Sequence, residues 1–130
     1  SWAVMAWIEG EQPARRSVDR LVAAAERGEV ELMMSLINVG EVYYVLAKRR
    51  GVEEAEAFLS DLAALPIRTL VPNDALILDA ARLKGRFAIS YVDAFAVETA
   101  RQQAAPLVTG DPELKLLAHK RIVELDWVGR

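Results

Sequence analysis

The chain of 130 residues has no cysteine and one histidine, His119. Without thiols, disulfides and thiolate metal centres are excluded, and the absence of cysteine is compatible with a cytosolic protein without establishing one. A lone histidine rules out His-rich metal sites and leaves little scope for a Ser-His-Asp triad. Any metal chemistry must therefore rest on oxygen donors, which favours Mg²⁺ or Mn²⁺. No apolar run approaches the roughly 18 residues needed to cross a bilayer. No G-x-G-x-x-G follows a strand-like segment, which argues against a dinucleotide-binding enzyme. Internal repeats and low-complexity tracts are also missing. So is a basic surplus: the net charge is −3, which gives no global signature of nucleic-acid binding. Positive charge gathers only locally, at Lys48-Arg49-Arg50, between Arg82 and Arg86, and at Lys120-Arg121. These clusters read first as solvated helix ends. By charge alone they are also candidates for phosphate contact.

What is present is a hydrophobic fraction of 53%, rich in Leu, Val and Ala, in a length that suits one domain spanning 1–130. Residues 2–9 are nearly all apolar and read as a short buried helix. Pro13 suits the first turn of a second helix over about 14–28, stopped by Gly28. Further helices are predicted over 37–50, 52–64, 74–84, 91–104 and 112–118, and strands over 29–34, 66–71, 105–109 and 122–125. In the helix at 52–64, Ala55, Phe58, Leu59 and Leu62 share one face. Strands alternating with helices imply an α/β fold with a parallel sheet, whose functional residues collect at the carboxyl ends of the strands.

Three acids occupy unexpected places. Glu41 is the only charged side chain between Leu36 and Ala47, in SLINVGEVYYVLA, with Asn38 the only other strongly polar one. Burying a carboxylate there is unfavourable unless it is paired, hydrogen-bonded, neutralised or bound to metal. An exposed stripe or a cap on a neighbouring helix is the alternative. Asp93 lies in the apolar run ISYVDAFAVETA. The Ser90-x-x-Asp93 pattern is compatible with a capping arrangement at a helix start, while Tyr91, Val92, Phe95 and Val97 suggest burial. Asp111 follows the strand PLVTG and precedes Pro112, the position of a helix N-cap. A cap at a strand's carboxyl end is compatible with catalysis. Gathered together, the three acids would repel one another, and a divalent cation relieves that repulsion. Glu98, five residues beyond Asp93, is a second-rank candidate.

These segments resemble the PIN domain. Glu41 in INVGEVYYVLA matches its second motif, Asp93 in SYVDAFAVETA its third, and Thr109-Gly110-Asp111 its strand-to-acid T-x-D. Order and spacing agree over essentially the whole chain, and the length and layout most resemble VapC-type toxins. The resemblance implies a three-layer α/β/α fold with a central parallel sheet of about four to five strands. It implies a cytoplasmic endoribonuclease with Glu41, Asp93 and Asp111 as catalytic and metal-binding residues for one or two Mg²⁺ or Mn²⁺ ions. It also implies an RNA substrate, a cognate antitoxin and a homodimer. Thr109 and Asn38 would support the acids or water by hydrogen bonds.

The family's opening hydrophobic strand, ending in Asp and then Ser or Thr, has no counterpart after Ser1. The expectation is that an Asp stands immediately before Ser1. A catalytically degenerate scaffold on the same fold is the main alternative. A receiver-like signalling domain fits less well, because no early acidic pair is visible. His119 is expected at the surface, and Trp2 and Trp7 in the core or a subunit interface.

Overall fold

The computed structural model describes all 130 residues. Helices α1 (Trp2–Glu9) and α2 (Ala14–Glu26) lead into strand β1 (Leu32–Ser35) and helix α3 (Leu36–Arg50). Then come α4 (Val52–Ala64), β2 (Ile67–Leu70), α5 (Asp74–Arg86), α6 (Tyr91–Gln102) and β3 (Leu107–Thr109). A short 3₁₀ turn (Pro112–Leu114), α7 (Lys115–His119) and β4 (Leu125–Trp127) complete the chain. The α/β class is as the alternation of elements implied.

Four strands pair in parallel, but as two separate pairs, β1 with β2 and β3 with β4. Residues of β1 and β3 both line a largely apolar groove of about 300 Å³. Leu32 and Met34 of β1, Leu107 and Val108 of β3, Val22 of α2 and Thr99 of α6 are among its wall residues. Helix α6 touches both β1 and β3 and so bridges the two pairs.

Local chemistry sets the helix ends. The Ser35 hydroxyl accepts from the Ile37 N–H, so α3 starts directly at the end of β1. Asn73 does the same for α5 by accepting from the Leu76 N–H. Gly10 takes the left-handed conformation (φ 74°) that lets α1 turn toward α2. Apolar side chains form three packed groups: Val42, Leu46, Phe58 and Leu62 between α3 and α4; Leu83, Phe95, Val97 and Leu117 around α5, α6 and α7; and Ala6, Val18 and Val22 between α1 and α2.

Several expectations shift. The first strand occupies 32–35 instead of 29–34, and the last occupies 125–127 instead of 122–125. Ile122 donates its N–H to the Leu117 carbonyl, and Arg121 has φ 59°, so this stretch is still turning away from α7. Val123 is buried there without joining a ladder, which begins at Leu125 opposite Leu107. On α4, Ala55, Phe58 and Leu62 are buried as expected, whereas Leu59 is exposed. Trp2 and Trp7 pack against the α1–α2 group, and the Trp7 indole donates to Asp19 Oδ1 at 2.7 Å. His119 is exposed.

Candidate metal centre

Chain direction places the acids at one end of the molecule. Strand β1 ends at Ser35 and feeds α3, which carries Glu41 one turn beyond Asn38. Strand β3 ends at Thr109, and Asp111 follows after one residue. Helix α6 opens at Ser90, whose hydroxyl accepts from the Asp93 N–H at 3.0 Å. The Ser90 cap is real, and Ser90 in turn steadies the charged form of the Asp93 carboxylate. Glu41, Asp93 and Asp111 are each half-buried.

A carboxylate oxygen from each of Asp93, Asp111 and Glu113 lies within 4.8 Å of the other two. Glu113 was not among the expected residues. It follows Pro112 and is exposed, and in the sequence it is indistinguishable from an ordinary solvated acid. The fold makes the difference: the 3₁₀ turn that Asp111 caps carries Glu113 back toward the Asp93 carboxylate. Asp111 Oδ1 accepts the Glu113 N–H at 3.0 Å, while Thr109 Oγ1 accepts the Asp111 N–H at 3.1 Å. Thr109 is buried, so the turn bearing both acids is anchored inside the protein.

Glu41 is not in this tight trio. It is close enough to Asp93 for the two charges to repel. Burial is the main reason the Asp93 carboxyl is raised above its ordinary value, with Asp111 and Glu41 adding repulsion; a hydrogen bond with Ser90 pulls the other way. Glu98 is buried but turned to another task, accepting from Arg101 at 2.9 Å.

The donor set consists of carboxylate oxygens, with no thiol in the chain and its single histidine exposed. It fits a hard divalent cation that takes oxygen ligands, and it fits no zinc site of the Cys/His type.

The PIN domain model matches residues 3–120. The chain belongs to the PIN domain family. No curated protein and no solved structure shows a significant match to it. PIN domains are in general nucleases that use divalent metal ions and act on RNA, and the acidic trio of this PIN domain provides oxygen donors for such an ion.

The basic clusters are mostly engaged locally. Arg49 pairs with Glu9 at 2.6 Å, Arg50 with Glu54 at 3.7 Å, and Arg82 with Asp79 at 2.9 Å. Lys84 donates to the Ile89 carbonyl at 3.0 Å. Lys120 and Arg121 are exposed and have no ion-pair partner.

Proposed function

We propose that this PIN domain is a Mg²⁺- or Mn²⁺-dependent endoribonuclease and the toxin component of a toxin–antitoxin pair. The observation that carries the nuclease reading is the convergence of Asp93, Asp111 and Glu113 within 4.8 Å, with Glu41 near enough to act on Asp93. Asp93, Asp111 and Glu113 hold the cation, and Glu41 completes the negative wall. A divalent ion held by these residues would supply Lewis-acid activation of water and neutralise charge on the scissile phosphate. Asp111 Oδ1 is committed to the Glu113 N–H, which leaves its second oxygen for the ion. Thr109 holds the Asp111 backbone N–H at the end of β3.

The toxin reading, with a cognate antitoxin, a homodimer and a cytoplasmic setting, is supported by the resemblance in length and motif order to VapC-type proteins. The groove between β1 and β3 supports the expectation of one further parallel strand. A strand there would join the two pairs, and an Asp at its carboxyl end, just before Ser1, would stand beside the other acids. The codons preceding Ser1 test this directly, and a non-acidic residue there counts against an intact nuclease.

The decisive experiment incubates the full-length protein, freed of any antitoxin, with total RNA in Mg²⁺, Mn²⁺ or chelator, beside Asp93→Asn. Discrete metal-dependent cleavage that Asp93→Asn lacks supports the nuclease. A folded protein with no cleavage and no metal-induced rise in melting temperature points to the degenerate scaffold instead.

A further inference from the structure

Asn38 is 2% exposed and takes no part in the acidic trio. Its side chain nevertheless bonds to two other segments, one of which carries an acid of the trio. The Nδ2 group donates to the Val92 carbonyl at 3.2 Å, and Val92 immediately precedes Asp93 in the first turn of α6. The same group donates to Ser1 Oγ at 3.1 Å, and the Ser1 hydroxyl donates back to the Asn38 carbonyl at 3.5 Å. Glu41 lies three residues further along α3, on the same face of the helix. One primary amide thus ties the turn of α3 that leads to Glu41, the turn of α6 that carries Asp93, and Ser1.

The other half of this amide is unsatisfied. Asn38 Oδ1 is buried and has no hydrogen-bond partner. Native proteins keep few such groups. An apolar side chain of similar size would fill the same space. What an apolar side chain cannot supply is a directed bond from α3 to the Val92 carbonyl.

We infer that Asn38 is a positioning residue that sets how Glu41 on α3 faces Asp93 on α6, and through that geometry sets the affinity of the acidic site for a divalent cation. The inference rests on the metal-dependent reading above. Packing alone permits α3 and α6 to slide or rotate slightly, because apolar contacts are not directional. A hydrogen bond to a carbonyl one residue from a ligand removes that freedom, in the way partners behind metal ligands fix ligand orientation.

The test measures two quantities on the full-length chain: the melting temperature in chelator, and the Kd for Mn²⁺ followed by its electron paramagnetic resonance signal. Asn38→Leu is expected to keep or raise the metal-free melting temperature while weakening Mn²⁺ binding by about tenfold or more. Opposite behaviour, a lower melting temperature with an unchanged Kd, assigns Asn38 a purely structural role and overturns the inference. If Asn38→Leu does not fold, Asn38→Ala carries the same comparison, and a wild-type Kd in that variant overturns it equally. Absence of Mn²⁺ binding by the unaltered protein removes the metal reading itself, and the inference with it.

Discussion

The Trp2 ring lies directly against Gly110, the residue that separates Thr109 from Asp111, and the Gly129 backbone closes in from another side. A Cβ at position 110 would collide with the ring and stand 2.6 Å from the Gly129 Cα. Neither obstacle yields cheaply, because one is a ring packed against the α1–α2 group and the other is backbone. Gly110→Ala should therefore destabilise the protein by about 1–3 kcal/mol, the usual range for overpacking. It should also displace Asp111 and weaken Mn²⁺ binding in whatever fraction still folds. Chelator-versus-Mn²⁺ melting curves read both effects, and a variant with wild-type values in each would show that Trp2 moves aside freely.

Asp93 makes a prediction about pH. Its carboxyl is raised in the folded state, first by burial and then by Asp111 and Glu41, above its ordinary value of about 3.8. A raised acid binds its proton more tightly when folded than when unfolded, so stability falls as pH rises from near 3.8 through the folded value. In chelator, Asp93→Asn should escape this loss. Its melting temperature should match wild type at the acid end and exceed it increasingly across that window, levelling off above the folded pKa. Parallel curves for the two proteins at every pH would refute the assignment. With Mn²⁺ present the ranking should reverse, since the ion removes the repulsion only where a carboxylate remains to bind it.

Glu113 and Asp111 should respond differently to removal of charge. Asp111 is both ligand candidate and cap, and asparagine caps nearly as well. Asp111→Asn should thus preserve the metal-free melting temperature and abolish the metal-induced rise. Glu113 is exposed and only joins the trio at its edge. Glu113→Gln should keep the fold and weaken Mn²⁺ affinity about tenfold, equivalent to about 1.4 kcal/mol. Calorimetric titration distinguishes these results, and an unaltered Kd for Glu113→Gln would remove it from the site.

The contrast between Glu113 and Asp93 shows where reading the sequence succeeds. Asp93 stands out because its neighbours are apolar, and a charge among apolar residues requires an explanation. Glu113 has a proline and an exposed turn beside it and raises no such question; only the return of the chain after the Asp111 cap brings it to Asp93. The same division holds in the fold. Helix α4 runs over 52–64 as read from its apolar spacing and the glycine before it, both local signals. Strand β4 begins at Leu125, three residues late, because its ladder depends on β3, far away in sequence, and on the turn that holds Ile122 against Leu117. The division of the strands into two pairs is likewise a property of distant edges, beyond the reach of local periodicity.

Glu98 and Arg101 offer a control that separates stability from metal binding. Glu98 lies five residues after Asp93 on the same helix, but its side chain is only 9% exposed and its ion-pair partner is Arg101, itself 48% exposed. Removing the arginine leaves a buried carboxylate without its cation, which is unfavourable, although the half-exposed arginine site lets water supply part of what is lost. Arg101→Ala should therefore destabilise the protein by about 1–2 kcal/mol, less than for a fully buried pair. The restoring change is Glu98→Gln in the same chain, which removes the stranded charge and should recover much of the loss. Neither substitution alters the trio, so the rise in melting temperature caused by Mn²⁺ should be that of the unaltered protein in both. A reduced rise in Arg101→Ala would instead place Glu98 among the groups that feel the cation, and would extend the site one turn further along α6 than the trio alone requires.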